Sequence, residues 1–158
     1  MRKINEMDLE AVYALCCLLR DENARMSFTD IMDRNQLNEW LSDPLVSVFG
    51  DFDDVGHVRG LIKATRGKGN KSHSVYLAAA THPDHRKMNI AYHLTLFALE
   101  ALKAEGALIA RTYIYSWNKA SIATIEKCGF MMSGRVVMHE FDDVSQTYID
   151  DLIFYKLL

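Results

Sequence analysis

SVYLAAATHPDHRKMNIA, residues 74–91, changes its periodicity midway. Ser74–Thr81 is a short apolar run with β-branched and aromatic residues, which predicts a strand. Pro83 breaks it. From Ile90 the apolar positions recur at helical spacing through Leu94, Phe97, Ala101 and Leu102, and Gly106 stops them. Leu108–Tyr115 then reads as a second strand. Strand, helix and strand make a right-handed parallel crossover. Ligands of such sheets sit outside the carboxyl ends of the parallel strands, which directs attention to residues 78–91. There Ala78, Ala79 and Ala80 leave room for another backbone to approach. Arg86 and Lys87 stand just before a helix whose first amides are unpaired and whose dipole is positive at that end. Together they suit a phosphate or pyrophosphate. A plainer reading stays open beside this one: a small-residue strand under a helix, with a solvated Arg-Lys turn.

The remaining segments follow outward. Leu9, Val12, Tyr13, Cys16 and Leu19 predict a helix from Met7 to about Asn23. A second helix, capped near Thr29–Asp30, carries Leu37, Trp40 and Leu41 and ends at Pro44. Leu45–Phe52 and Val58–Thr65 read as strands joined by the acidic turn DFDDVGH. RGKGNK (66–71) is a polar turn; its GKGN lacks the Lys-Ser/Thr tail and helix of a phosphate loop. After Leu108–Tyr115 come a short helix, Lys119–Cys128, and a closing antiparallel pair, Met131–Phe141 and Tyr148–Leu157. A first strand rests only on Lys3–Asn5. The order predicts an α/β mixed sheet of six to seven mostly antiparallel strands, with a central parallel pair and four helices.

The chain has 158 residues, one domain's worth, so residues 1–158 are expected to form a single domain. Hydrophobic residues make up 49% and charged residues 25%, which excludes disorder and low complexity. A net charge of -3 argues against a nucleic-acid partner. Cys16, Cys17 and Cys128 are odd in number and make no disulfide framework, so a reducing cytoplasm is expected. Apolar runs fall well short of the ~20 residues that cross a bilayer, and MRKINEMDLE has no apolar signal-peptide core, so no membrane role is expected. His82 and His85 lack the dense ligand cluster a metal needs, and no metal is expected. Charge is unevenly placed. Arg59, Lys63, Arg66, Lys68 and Lys71 form a basic stretch, and Glu140, Asp142, Asp143, Asp150 and Asp151 an acidic one. The acidic edge suits a cationic amine, with a solvated turn as the plainer alternative.

The 81–91 junction resembles the acetyl-CoA signature of the GNAT N-acetyltransferase family. Pro83 is followed three residues on by Arg86, and Asn89 and Ala91 occupy the family's two small-residue positions. Asn89 and Lys87 stand where glycine is usual; Asn is the residue after glycine that best tolerates positive φ. A second block, Asn118-Lys119-Ala120-Ser121-Ile122-Ala123-Thr124-Ile125-Glu126-Lys127-Cys128-Gly129-Phe130, is similar to the family's Asn-x-x-Ala/Ser-x-x-x-Tyr-x-Lys-x-Gly-Phe pattern. Gly60 matches the glycine common on the second hairpin strand. The resemblance covers residues 45–158 well and the two N-terminal helices only by order.

That resemblance implies a GNAT-like fold and an acetyl-CoA-dependent N-acetyltransferase. The cosubstrate acetyl-CoA would be held by Ala80, Thr81, Arg86, Lys87, Met88, Asn89, Ile90, Ala91, Asn118 and Ser121. The acceptor would be a primary amine of a small metabolite or a peptide N-terminus, and a homodimer stays open. The family's tyrosine that protonates the leaving thiolate is replaced by Ile125. Tyr113, Tyr115 and His82 are the candidates for base or acid. Cys128, before Gly129, reads as a small buried hydrophobe. Two other readings stand beside this one. One is a non-catalytic acyl-CoA-binding module with the same fold. The other is an enzyme of nucleotides or sugar phosphates, which requires that CoA not bind.

Overall fold

The computed structural model describes residues 1–22 and 27–158. Seven strands form one sheet in the order β1-β2-β3-β4-β5-β7-β6. The strands are β1 Arg2–Lys3, β2 Val46–Phe52, β3 Val58–Arg66, β4 Ser74–Thr81, β5 Ile109–Tyr115, β6 Met131–Asp142 and β7 Thr147–Leu157. Four α-helices accompany them: α1 Leu9–Asp21, α2 Arg34–Ser42, α3 Ile90–Ala104 and α4 Lys119–Lys127. Every neighbouring pair is antiparallel except β4 and β5. The mixed sheet with its central parallel pair and four helices is as expected.

Two apolar clusters hold the helices to opposite faces of the sheet. Val12, Leu15, Cys16 and Leu19 of α1 sit at i, i+3, i+4 and i+7 and bury one stripe against Val48, Leu61 and Ala80. Leu94, Ala98 and Leu102 of α3 and Ile125 of α4 pack on the other face against Ile62, Ala64, Val75 and Leu77. Each fully buried Leu or Ile contributes roughly 1.5–3 kcal/mol by leaving water. Gly60 is the close-approach point between β3 and α3. A Cβ there would lie 2.8 Å from Ile90 Cγ2, so any side chain would push the helix off the sheet.

The second helix begins later than its composition suggested. Thr29–Asp30 lies in a turn, and the cap is Asp33, whose side chain accepts from the amides of Asn35 and Gln36. Gln36 returns the bond, accepting from the Asp33 amide, and this reciprocal capping box outcompetes the lone upstream candidates. The first strand is Arg2–Lys3 rather than Lys3–Asn5, because Asn5 instead caps the turn at Glu6–Asp8. The expected end of the first helix at Asn23 lies outside the described residues. Among the described residues no helix is long and apolar enough to cross a membrane.

Candidate active site

The site is built on a parting of two parallel strands. β4 and β5 pair at three positions only, Ser74 with Ile109, Val75 with Ala110 and Tyr76 with Arg111. Beyond them Leu77–Thr81 and Thr112–Tyr115 run on without a mutual ladder. The edge of β4 that faces β5 is therefore left without a strand partner. The Thr112 hydroxyl donates to the Leu77 carbonyl at 3.0 Å and marks the apex of this wedge. Neither residue stood out in the sequence, since the parting is a property of two strands and not of either one.

On the α3 face, the wedge opens toward the loop that follows β4. Pro83–His85 makes one 3-10 turn, with His82 Nδ1 accepting from the Asp84 amide at 3.2 Å. Lys87 and Asn89 both take left-handed backbone, with φ of 64° and 57°. These are the two positions where glycine would be at ease. Asn89 is the N-cap residue of α3 but makes no side-chain cap bond. The first amides of a 15-residue helix are thus left for another acceptor. Met88 projects into solvent, while Ile90 is buried against Gly60.

Among the described residues three cations belong to this loop or reach it. Arg86 makes a two-pronged pair with Glu22, just past the end of α1, with both contacts at 2.6 Å. The guanidinium holds the Glu22 carboxyl below its usual range. Lys87 is the second cation. The third, Lys127 at the end of α4, donates to Asn89 Oδ1 at 3.4 Å and lies 4.2 Å above the Tyr92 ring. Lys127 was in register in the second sequence block, yet nothing there tied it to the loop. Asn118 caps α4, its side chain accepting from the Ser121 backbone amide at 3.1 Å, so it has a local structural partner. Ile125, where the family carries tyrosine, is buried in the α3–α4 cluster.

The opposite face of the wedge is aromatic. Ala110 and Ile114 of β5 point into the α3 cluster, so Arg111, Tyr113 and Tyr115 point the other way. The Tyr113 ring stacks on Tyr76 of β4, centroids 6.0 Å apart and planes at 9°. Tyr115 stacks on Trp117 at 6.1 Å. Cross-strand pairing places Ile153 beside Tyr113 and Asp151 beside Tyr115. Ala80, by contrast, is buried in the α1 cluster and pairs with Leu61 of β3, so it turns neither its side chain nor its ladder bonds to the wedge. Next to Ala78 a cleft of about 350 Å³ opens under the α1–α2 connection, lined among others by Phe28, Asp30, Trp40 and Lys63. A larger hollow of about 530 Å³ lies at the β1 edge, around Ile4 and Val46, away from the parallel pair.

Titratable groups at the aromatic end are coupled. Tyr115 donates its hydroxyl to Glu140, and that bond with burial pushes its phenol up to about 12. Burial raises Asp151, which has the His139 imidazole Nε2 at 3.6 Å. The acidic stretch is largely engaged within the chain. Asp150 pairs with Arg135 and accepts from the Met138 amide at 2.7 Å, and Asp142 accepts from the Ser145 amide at 3.1 Å.

Comparison with known proteins agrees with this architecture. The family model described as the Acetyltransferase (GNAT) family matches residues 12–130. A ribosomal-protein-alanine N-acetyltransferase from Brucella melitensis superposes with a TM-score of 0.86 at 21% identity, covering 99% of this chain and 98% of that one. A GNAT-family acetyltransferase from Streptococcus pneumoniae gives 0.86 at 18%, covering 99% and 97%. A putative acetyltransferase from Salmonella typhimurium, solved with its cofactor acetyl-CoA, gives 0.85 at 18%, covering 99% and 92%. No curated protein matches the chain significantly. At these identities the structures speak for the fold. The family model spans most of the chain, over the same wedge and helix end, and the chain belongs to the GNAT acetyltransferase family.

Proposed function

We propose that residues 1–158 act as one acetyl-CoA-dependent N-acetyltransferase domain, transferring acetyl to a primary amine of a small metabolite or a peptide N-terminus. The observation that carries this reading is the β4–β5 wedge, which opens toward an uncapped helix end and its cationic loop on one face and an aromatic cleft on the other. The loop amides of residues 87–91, with Arg86 and Lys127, would take the pyrophosphate. The unpaired backbone of β4, at Leu77–Thr81, would line the pantetheine, with Asn118 and Ser121 bordering the reactive arm. Acetyl-CoA supplies an acyl thioester. The acceptor enters from the aromatic face and must lose a proton before it attacks.

The proton roles follow from the local electrostatics. Tyr115 keeps its proton far above neutral pH because ionising it would set a phenolate against Glu140. It is therefore not a base, and Glu140 already takes the one proton it could give. His82, which accepts an amide through Nδ1, keeps its other nitrogen for proton exchange. Tyr113 is half exposed on the floor of the acceptor face. Ile125 supplies no proton.

Calorimetry with acetyl-CoA, followed by a thiol-release assay over a panel of amines, tests the reading. Binding and turnover on at least one amine are expected. Binding with no turnover on any amine would replace the proposal with a non-catalytic acyl-CoA-binding domain. Absence of binding would replace it with an enzyme of nucleotides or sugar phosphates.

A further inference from the structure

Lys63 stands on β3 directly opposite Ala78 of β4. It alternates with Ile62 and Ala64, which face α3, and so projects onto the acceptor face. Its Nζ lies 4.3 Å from the centre of the Trp40 ring, inside the 350 Å³ cleft. It makes no ion pair among the described residues. Ala78, whose side chain is a single methyl group, lines the same cleft on the strand between Lys63 and the wedge. Neighbouring strands are ~4.8 Å apart and a lysine stem reaches roughly 6 Å, so the amine can pass over β4 to the wedge.

We propose that Lys63 is a site of self-acetylation, its ε-amine taking the acetyl group from a thioester lodged between β4 and β5. The inference rests on the acyltransferase reading above. The ammonium first releases one proton to solvent. Nζ then forms the bond to the thioester carbonyl carbon, the C–S bond breaks, and its electron pair leaves on sulfur. A second proton passes from nitrogen to that sulfur, giving the amide and the free thiol. The cleft favours the first step. Burial pushes the Lys63 amine below the usual lysine range, against the opposing pull of Asp30 and Asp43. Glu39 lines the same cleft, while β2 and β4 set only Val48 and Ala78 opposite Lys63. An amine one strand from the wedge, with carboxylates nearby but no direct ion pair among the described residues, is what an acceptor must be. Acetylation removes the charge but leaves the stem against Trp40, so it would change which acceptors the cleft admits.

The test incubates the purified protein with acetyl-CoA and no added amine, then maps acetyl groups by peptide mass spectrometry. Lys63 should be modified first and to near stoichiometry, Lys63→Arg should gain no acetyl in that peptide, and Arg86→Glu should slow the modification by reducing cofactor occupancy. A second measurement needs no acetyl-CoA. Competitive labelling with trace acetic anhydride across pH should give Lys63 a lower midpoint than exposed lysines such as Lys103. If acetyl-CoA binds and Lys63 stays unmodified, or all lysines are labelled alike, the self-acetylation proposal falls while the acyltransferase reading stands. If acetyl-CoA does not bind, both fall. A Lys63 midpoint equal to that of Lys103 also overturns it.

Discussion

Thr112 donates its hydroxyl to the Leu77 carbonyl at 3.0 Å, one position beyond the last pair of the β4–β5 ladder. A side chain takes over where the backbone ladder stops, so the strands part at a defined point. Thr112→Val removes the donor and leaves a buried carbonyl unpaired, at a cost of about 1–3 kcal/mol. The melting temperature should fall by about 2–4 °C for each kcal/mol lost in a chain of this size. Thr112→Ser should restore most of it. Equal melting temperatures for Thr112→Val and the parent would show that the bond does not hold the apex.

Lys87 and Asn89 carry left-handed backbone, which costs a residue with a Cβ about 1–2 kcal/mol. Lys87→Gly should therefore raise stability, by about 0.5–1 kcal/mol after the extra entropy of unfolded glycine is counted. At position 89, alanine should be about 1 kcal/mol less stable than glycine. Urea denaturation of these variants measures both differences. A less stable Lys87→Gly would mean that the lysine side chain makes a compensating contact.

Arg86, four residues before the start of α3, spends both terminal nitrogens on Glu22. Glu22→Gln frees the guanidinium and removes a negative charge beside the proposed pyrophosphate site, so acetyl-CoA should bind more tightly. Arg86→Glu reverses that charge and should weaken binding more than tenfold, with the larger loss at low salt. Calorimetry at two ionic strengths reads both. Unchanged affinity in Arg86→Glu would sink the placement of the pyrophosphate.

Asp8 accepts two bonds from Arg2, each 2.5 Å, and one from the Asn5 amide, and the guanidinium holds its carboxyl below the ordinary value. A group depressed in the folded state stabilises above its unfolded value, ~3.9, and loses that stabilisation as pH falls through the lower folded value. The stability gap between the parent and Asp8→Asn should be constant from pH 7 to about 5 and narrow progressively as the pH falls below about 4. Thermal melts across that range test it. A gap that does not narrow at all as the pH falls below about 4 would assign Asp8 a role independent of its charge.

Much of the framework was legible before any coordinates. The shift from alternation at Ser74–Thr81 to helical spacing at Ile90 depends on residues a few positions apart, and propensity and periodicity register such spacing directly. The same holds for the turn at Pro83 and for the cations Arg86 and Lys87 just before the helix. The start of α2 was misread because several capping residues precede it. Only the reciprocal bonds between Asp33 and Gln36 choose among them.

What chain position could not convey is which distant residues meet. Lys127 reaches Asn89 across 38 residues, Arg86 finds Glu22 across 64, and Thr112 closes on Leu77 across 35. Lys63 read as one of five cations in a basic stretch until the packing of α2 laid it on Trp40 beside Ala78. The acidic stretch likewise looked like a free electrostatic edge until Arg135, Tyr115 and backbone amides took up its carboxylates. Local chemistry along the chain thus determines the strands, the loop and its positive charge, because those follow from near-neighbour sterics, charge and hydrogen bonding. The wedge, the third cation and the lysine in the acceptor cleft exist only once the sheet closes, because each requires two segments far apart in sequence to share one small volume.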